Sequence, residues 1–302
     1  MDATLVVLAA GLGSRFGGLK QIEPLGKHGE FIADFSAYDA LRAGFNKIVY
    51  VIKPEIEEIF REKMASKAEK HVKVELAFQC MDDLPADFNA PADRTRPWGT
   101  SHALWATRHI TKEPFMIISA DDFYGRGVFQ SAYDFLKNDS KTDYDFAMPG
   151  HTLAATVSEH GSVSRAICQV EDEFLTDIRE IRKIKKHTDG INYLDEDTGE
   201  CKPIDGASIV NMLAFAFKPT IFEEIEKNFA SFFENKKNPL EGEYFLNSVV
   251  KKLIKNNSAT MKVLPVSPED RWMGVTYPED MQMAKTAIWE LISQGHYPEK
   301  LW

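Results

Sequence analysis

Residues Ala3 to Leu8 form an uncharged run of aliphatic and β-branched side chains at the start of the chain, closed off at once by glycine. A strand with no polar alternation is buried on both faces, so this run predicts the first strand of a parallel sheet with helices on either side. The turn after it is Ala9-Ala10-Gly11-Leu12-Gly13-Ser14-Arg15-Phe16-Gly17-Gly18-Leu19-Lys20-Gln21. Glycines at 11, 13, 17 and 18 let the backbone bring bare N–H groups close to an anion, and Arg15 and Lys20 add positive charge beside them. Two familiar phosphate loops do not fit. The dinucleotide fingerprint needs its third glycine one residue earlier than Gly17, and a P-loop needs Gly-Lys-Ser/Thr where this chain has Gly18-Leu19-Lys20-Gln21. A turn that serves packing alone is the alternative.

Strand and helix patterns alternate through the first half. Lys47–Ile52, Val72–Phe78 and Phe115–Ser119 read as strands, and 54–69 and 101–109 as helices. After Asp143 strands dominate, at 144–148, 163–170, 176–184, 209–217 and 261–266, with helices at 219–235, 244–256 and 278–293. The fold expected is α/β: a Rossmann-like three-layer α/β/α domain on a mixed, mainly parallel central sheet. It spans 1–302 as one unit, with a nucleotide-binding half to about 142 and an acceptor-binding half from about 143. The stretch 81–97, with four aspartates, two arginines and three prolines, has neither period and reads as a loop, either a surface insertion or a lid. The charged stretch 185–203 reads as a hairpin, more as surface decoration than as part of a site.

Leu8-Ala9-Ala10-Gly11-Leu12-Gly13-Ser14-Arg15, with Lys20 downstream, resembles the signature of the nucleotidyltransferases that make nucleotide-activated sugars and alcohols. Leu19 stands where relatives carry proline. Trp98-Gly99-Thr100-Ser101-His102-Ala103-Leu104 resembles the segment where a glycine lets the base lie against the backbone, and Gln79 ends a strand where relatives present a glutamine to the base. Thr100 or Ser101 as a plain N-cap is the alternative. In Ile117-Ile118-Ser119-Ala120-Asp121-Asp122 a carboxylate ends a central strand and points into the crevice where such sheets bind ligands. By the resemblance Asp121 is a Mg²⁺ ligand, with Asp122 a possible second contact; helix capping is the alternative. Trp272-Met273-Gly274-Val275-Thr276-Tyr277-Pro278-Glu279-Asp280 aligns with a segment whose aspartate is the second metal ligand, which places Gly274 on the missing carboxylate. Asp270 is one candidate replacement. On the acceptor side the resemblance points to Arg165, Glu180, Asn211 and Glu243.

The implied reaction is attack of an acceptor phosphate on the α-phosphorus of a nucleoside triphosphate, with Arg15 and Lys20 as catalytic cations and Leu8, Ala9, Ala10, Gly11, Gly13, Ser14, Arg15, Gln79, Gly99 and Thr100 around the nucleotide. A sugar 1-phosphate is the leading acceptor and phosphocholine or another phosphorylated alcohol the second. A glycosyltransferase and a non-catalytic nucleotide sensor are competing readings. A net charge of −10 without a basic, aromatic-flanked tract argues against nucleic acid. Three scattered cysteines suggest neither disulfides nor zinc, and no apolar run reaches membrane length, so a cytoplasmic enzyme is expected. His102, His151 and His160 lack ligand spacing and read as packing or solvated residues.

Overall fold

The computed structural model describes residues 1–11, 24–188, 190–196, 198–234, 238–275 and 278–302. The first half holds β1 (Thr4–Leu8), α1 (Ile32–Ala43), β2 (Lys47–Ile52), α2 (Glu57–Phe60), α3 (Ser66–Ala68), β3 (Lys73–Phe78), α4 (Thr100–Trp105), β4 (Phe115–Ser119), β5 (Asp122–Phe123) and α5 (Arg126–Asp134). The second holds β6 (Asp145–Thr152), β7 (Val163–Glu171), β8 (Phe174–His187), β9 (Gly190–Leu194), β10 (Cys201–Ile204), β11 (Ile209–Asn211), β12 (Phe215–Phe217), α6 (Thr220–Glu234), α7 (Asn238–Glu241), α8 (Leu246–Lys255), β13 (Thr260–Pro265), β14 (Met273–Gly274) and α9 (Pro278–Ser293).

As the apolar run requires, β1 sits inside a parallel block ordered β3-β2-β1-β4, with Leu8 opposite both Val51 and Ser119. Alternate residues of these strands feed two separate cores. Leu5, Val7, Ile48, Tyr50, Met116 and Ile118 pack on one face, and Val6, Val49, Val51, Phe115 and Ile117 on the other. Each fully buried aliphatic side chain stabilises by roughly 1.5–3 kcal/mol, so both helix layers are held to the parallel block. The three-layer α/β/α expectation is met.

Beyond β4 the sheet continues through β12, β6, β11, β7, β8, β9 and β10, mostly antiparallel, while β13 runs parallel to β6. The sheet is mixed as expected, but antiparallel pairings outnumber parallel ones among the described residues. The connections in this half are the reason: β7 to β8 and β8 to β9 are each joined by two residues, too short for a crossover helix. The expected 209–217 strand is two. Asn211 accepts from Leu213 N and donates to Ala214 O, both at 2.8 Å, and Leu213 takes φ +56°, so the chain kinks between β11 and β12. The expected 54–69 helix forms with a π turn at Arg61–Ala65, which keeps Phe60, Met64, Ala65 and Ala68 buried.

The 81–97 loop is docked onto the second half. Arg94, buried, donates to the carbonyls of Pro97, Pro239 and Gly242, Trp98 Nε1 donates to Met81 O, and Phe88 packs on Phe233. Stretch 185–203 forms the expected hairpin, β9 with β10, on the outer edge.

Candidate active site

Four parallel strands that end together leave a crevice at their carboxyl edge, where ligands bind in such sheets. Here that edge is built by Leu8, Ala9 and Ala10 after β1, Gln79 after β3 and Ser119 to Asp122 after β4. Ala9 N donates to Val51 O (2.8 Å) and Ala120 N to Leu8 O (3.0 Å), which extends the sheet past its strands and fixes the rim. Ala9 and Ala10 are buried and Gly11 is exposed. Gly13, Ser14, Arg15 and Lys20 lie outside the described residues, as do Thr276 and Tyr277.

Gln79 and Gly99 meet. Gln79 Nε2 donates to Gly99 O at 3.2 Å and lies 3.2 Å from His102 Nδ1. Gly99 holds φ +103°, and a Cβ there would come within 2.8 Å of the Tyr244 backbone. A glycine is therefore required for the loop to lie against the 244 segment, whatever a base needs from it. Gly99 also occupies the N-cap of α4, so neither Thr100 nor Ser101 is the cap. Thr100 works on the neighbouring helix instead: its hydroxyl accepts from Leu246 N at 2.9 Å, a first-turn donor of α8 that has no partner within that helix. Tyr244 N donates to Trp98 O and Ser101 N to Tyr244 O, so segments 98–101 and 244–246 are clasped.

Asp121 and Asp122, half-buried, follow β4 on the crevice rim, and Ser119 Oγ donates to Asp121 Oδ1. The two-stranded pairing of β5 with β14 puts Gly274 directly opposite Asp122. Gly274, which the resemblance aligns with a second metal carboxylate, thus faces Asp122 with no side chain of its own. A Cβ at Gly274 would lie 2.4 Å from Trp272 Cη2 and 2.7 Å from Asp122 Oδ1, so the indole and the Asp122 carboxylate fill the space. Asp270 is no replacement: its Oδ1 accepts from Gly127 N at 2.8 Å and caps α5. Among the described residues no group of three or more acidic, histidine or cysteine side chains could hold a metal. Adjacent carboxylates suit a hard octahedral cation that keeps its other positions for phosphate oxygens and water. The Asp121–Asp122 pair is a donor set of the kind such a cation accepts.

Across the rim, Arg165 is buried on β7. Its guanidinium donates to Thr156 O and Ser164 O, lies 5.0 Å from the Trp272 ring centroid, and faces the charges of Asp122, Glu180 and Asp280. Burial pulls its pKa below the ordinary value while those carboxylates push it back. Arg165, His151, Trp272 and Gly274 line one cavity of about 630 Å³ between residues 150–159, 266–274 and α9. Glu180 is exposed on β8, opposite Ala166, and hydrogen-bonded to Asn247. Two expected acceptor residues do not join this group. Asn211 is buried with both ends of its amide spent on the kink at Leu213 and Ala214, a shaping role, and Glu243 is exposed near Arg94.

Sequence reasoning passed over Trp272, Asn247 and the hydrogen-bonding role of His102. Trp272 and His102 stand inside the quoted motifs, but only packing shows that one fills the place of a carboxylate and the other contacts Gln79. Asn247 carries no local signal.

A family model described as nucleotidyl transferase matches residues 4–273. No curated protein matches the chain. Among solved structures, an inositol-1-phosphate CTP transferase from T. maritima superposes with a TM-score of 0.61 at 13% identity, covering 96% of this chain and 95% of the other. A UDP-glucose pyrophosphorylase complexed with UDP-glucose gives 0.59 at 14% identity over 96% and 99%. A Bacillus anthracis protein described as a glucose-1-phosphate thymidylyltransferase gives 0.62 at 12% identity over 94% of each chain. Together with the Leu8–Gly11 rim, the match over nearly the whole sequence settles the assignment: this chain belongs to the nucleotidyl transferase family, enzymes that transfer a nucleotidyl group.

Proposed function

We propose that the protein joins a nucleoside triphosphate to a sugar 1-phosphate, giving a nucleotide-sugar and pyrophosphate. The observation that supports this most is the Leu8–Ala10 rim beside the Asp121–Asp122 pair, with buried Arg165 facing the charge of Asp122 from across the rim. The nucleotide lies in the half before about residue 142, with Ala9, Ala10, Gly11, Gly13 and Ser14 along the phosphates and Gln79, Gly99 and Thr100 around the base. The acceptor lies in the half after it, toward Arg165 and Glu180.

An acceptor phosphate is already ionised at neutral pH and needs no general base. Catalysis then consists of holding it in line with the pyrophosphate leaving group and neutralising charge that builds on the α-phosphoryl oxygens. Arg15 and Lys20 supply that charge from the N-terminal loop. Asp121, with Asp122 beside it, would hold a Mg²⁺, and that ion would supply charge neutralisation at the triphosphate oxygens. Arg165, already anchored on two backbone carbonyls, offers a fixed guanidinium rather than a mobile one.

A phosphorylated alcohol is the second acceptor class. It is favoured by the likeness to the inositol-1-phosphate CTP transferase and by the apolar wall that Trp272, Met273 and Met283 give the cavity. No helix among the described residues is long and apolar enough to cross a membrane; the compartment that goes with this reading is the cytoplasm. A pyrophosphate-release screen of CTP, UTP, GTP and ATP against phosphorylated sugars and alcohols with Mg²⁺ is the direct test. Triphosphate binding without pyrophosphate release for every acceptor would leave a nucleotide sensor in its place.

A further inference from the structure

The hydrogen bonds around Gln79 restrict how a base can be read. Gly99 O can only accept, so the Gln79 group that faces it at 3.2 Å is the NH₂. The second amide hydrogen has its own partner, His102 Nδ1, also at 3.2 Å. That nitrogen accepts because the other ring nitrogen is committed. His102 Nε2 lies 2.7 Å from Asp83 O, a carbonyl, so Nε2 carries the proton. Burial also pulls the imidazole pKa below its ordinary value, which favours the neutral ring. The ring is enclosed by Trp105 and Phe229, and Asp83 is itself held by a two-pronged ion pair with Arg108 at 2.7 and 2.9 Å.

We propose that His102 is a positioning residue that spends the second amide hydrogen of Gln79, so that only the carbonyl Oε1 is presented to the base. Oε1 has no partner among the described residues. A carbonyl can only accept, so the triphosphate is selected through an N–H on the edge of its base, and an edge that offers only acceptors is rejected. The docked 81–97 loop takes part through Asp83 O, which fixes the tautomer of His102. This inference rests on the reading that Gln79 faces the base.

The test measures pyrophosphate release by the full-length protein with its preferred triphosphate and with the analogue that lacks the edge N–H. The analogue is the 3-methyluridine form for UTP, the pyrimidin-2-one riboside form for CTP, or the purine riboside form for either purine. In the native enzyme the analogue raises KM by about 10–100-fold with kcat little changed, the range set by leaving a polar group unpaired in a binding site. His102→Leu leaves the amide held by the Gly99 carbonyl alone, so the carboxamide can turn its NH₂ toward the base, and the KM ratio between analogue and parent falls to about a tenth of the native value. His102→Gln, able to accept from Gln79 and donate to Asp83 O, restores it. A ratio unchanged in a folded His102→Leu protein overturns the inference. If instead Gln79→Met leaves KM unchanged for all four triphosphates, it is the placement of the base that fails. A measurement on the native protein guards against a misfolded variant: ¹⁵N-histidine NMR gives His102 as a neutral ring protonated on Nε2. A charged ring or an Nδ1–H tautomer there would sink the proposal.

Discussion

The parallel block β3-β2-β1-β4 and the antiparallel ribbon β7-β8-β9-β10 belong to one sheet, yet they are built to different standards. All six residues of β2 are buried, and β1 loses burial only at Leu8, where it reaches the crevice. In β8 most of the fourteen residues are exposed or half-exposed, the ladder with β7 carries two register shifts, and Lys183 sits at φ +55°. Parallel strands need crossovers that return the chain to the same end, so their carboxyl termini are aligned by topology and a site placed there inherits that alignment. Antiparallel strands need only short turns and can drift in register, which suits a wall that changes with the acceptor. The parallel block is therefore the fixed reference of the molecule and the antiparallel ribbon its adaptable part.

Breaking the fixed side is expected to have the largest effect. Lys20→Ala and Asp121→Asn should each lower turnover by about a hundredfold or more, the usual cost of losing a charge-stabilising group, with the melting temperature held. Near-normal rates in either variant would remove that residue from the chemistry. Next comes Asp39, buried on α1 beneath the parallel block, whose carboxyl burial pushes up to about 7 against the pull of the Tyr297 hydroxyl. An acid whose pKa is higher folded than unfolded binds its proton more tightly in the folded state. Stability is then highest at low pH, falls as pH rises from about 4 to about 7, and stays at the lower level above that. Asp34 adds the same trend up to about 6. Asp39→Asn should flatten this loss by on the order of 3 kcal/mol, read as unfolding free energy at about pH 5 and about pH 8; an unaltered pH slope would contradict it.

Gly99→Ala tests the joint between the two sides. With φ +103° and the Tyr244 backbone 2.8 Å from the new Cβ, it should cost about 2 kcal/mol of stability and raise KM for the triphosphate. Unchanged stability would mean that the loop relaxes freely. Gly274→Asp sharpens the contrast, because adding the carboxylate that the resemblance leads one to expect should here lower activity by about tenfold as Trp272 and Asp122 are displaced. A gain in activity would show that the site had kept room for it. The smallest effect belongs to the ribbon, where Lys186→Ala removes an exposed pair with Glu159 and should change stability by less than about 0.5 kcal/mol in a thermal melt.

Much of the fixed side was legible from residues alone. Strands 47–52 and 115–119 fall where their apolar runs place them, because runs buried on both faces leave few alternatives, and outside that block helix 278–293 falls where its period places it. The split of 209–217 was hidden, since nothing in Ile-Val-Asn-Met-Leu-Ala-Phe-Ala-Phe announces that an asparagine amide will fold the chain back on itself. The same asparagine misled the search for acceptor residues, because an amide suited to a sugar hydroxyl suits a buried backbone equally well. The motif around Gly274 told that a carboxylate was missing, but only three-dimensional packing shows that an indole has taken its volume.

The clasp between residues 98–101 and 244–246 carries one more consequence. Tyr244 is bonded on both sides to the Trp98–Ser101 turn and the Thr100 hydroxyl accepts from the first N–H of the helix that begins at Leu246, so the wall beside Gln79 and the wall beside Asn247 are tied together. If the crevice opens and closes, that lip travels as a unit and the hinge lies elsewhere in the chain. Substitutions on the Asn247 side should then register in triphosphate affinity as readily as those beside Gln79.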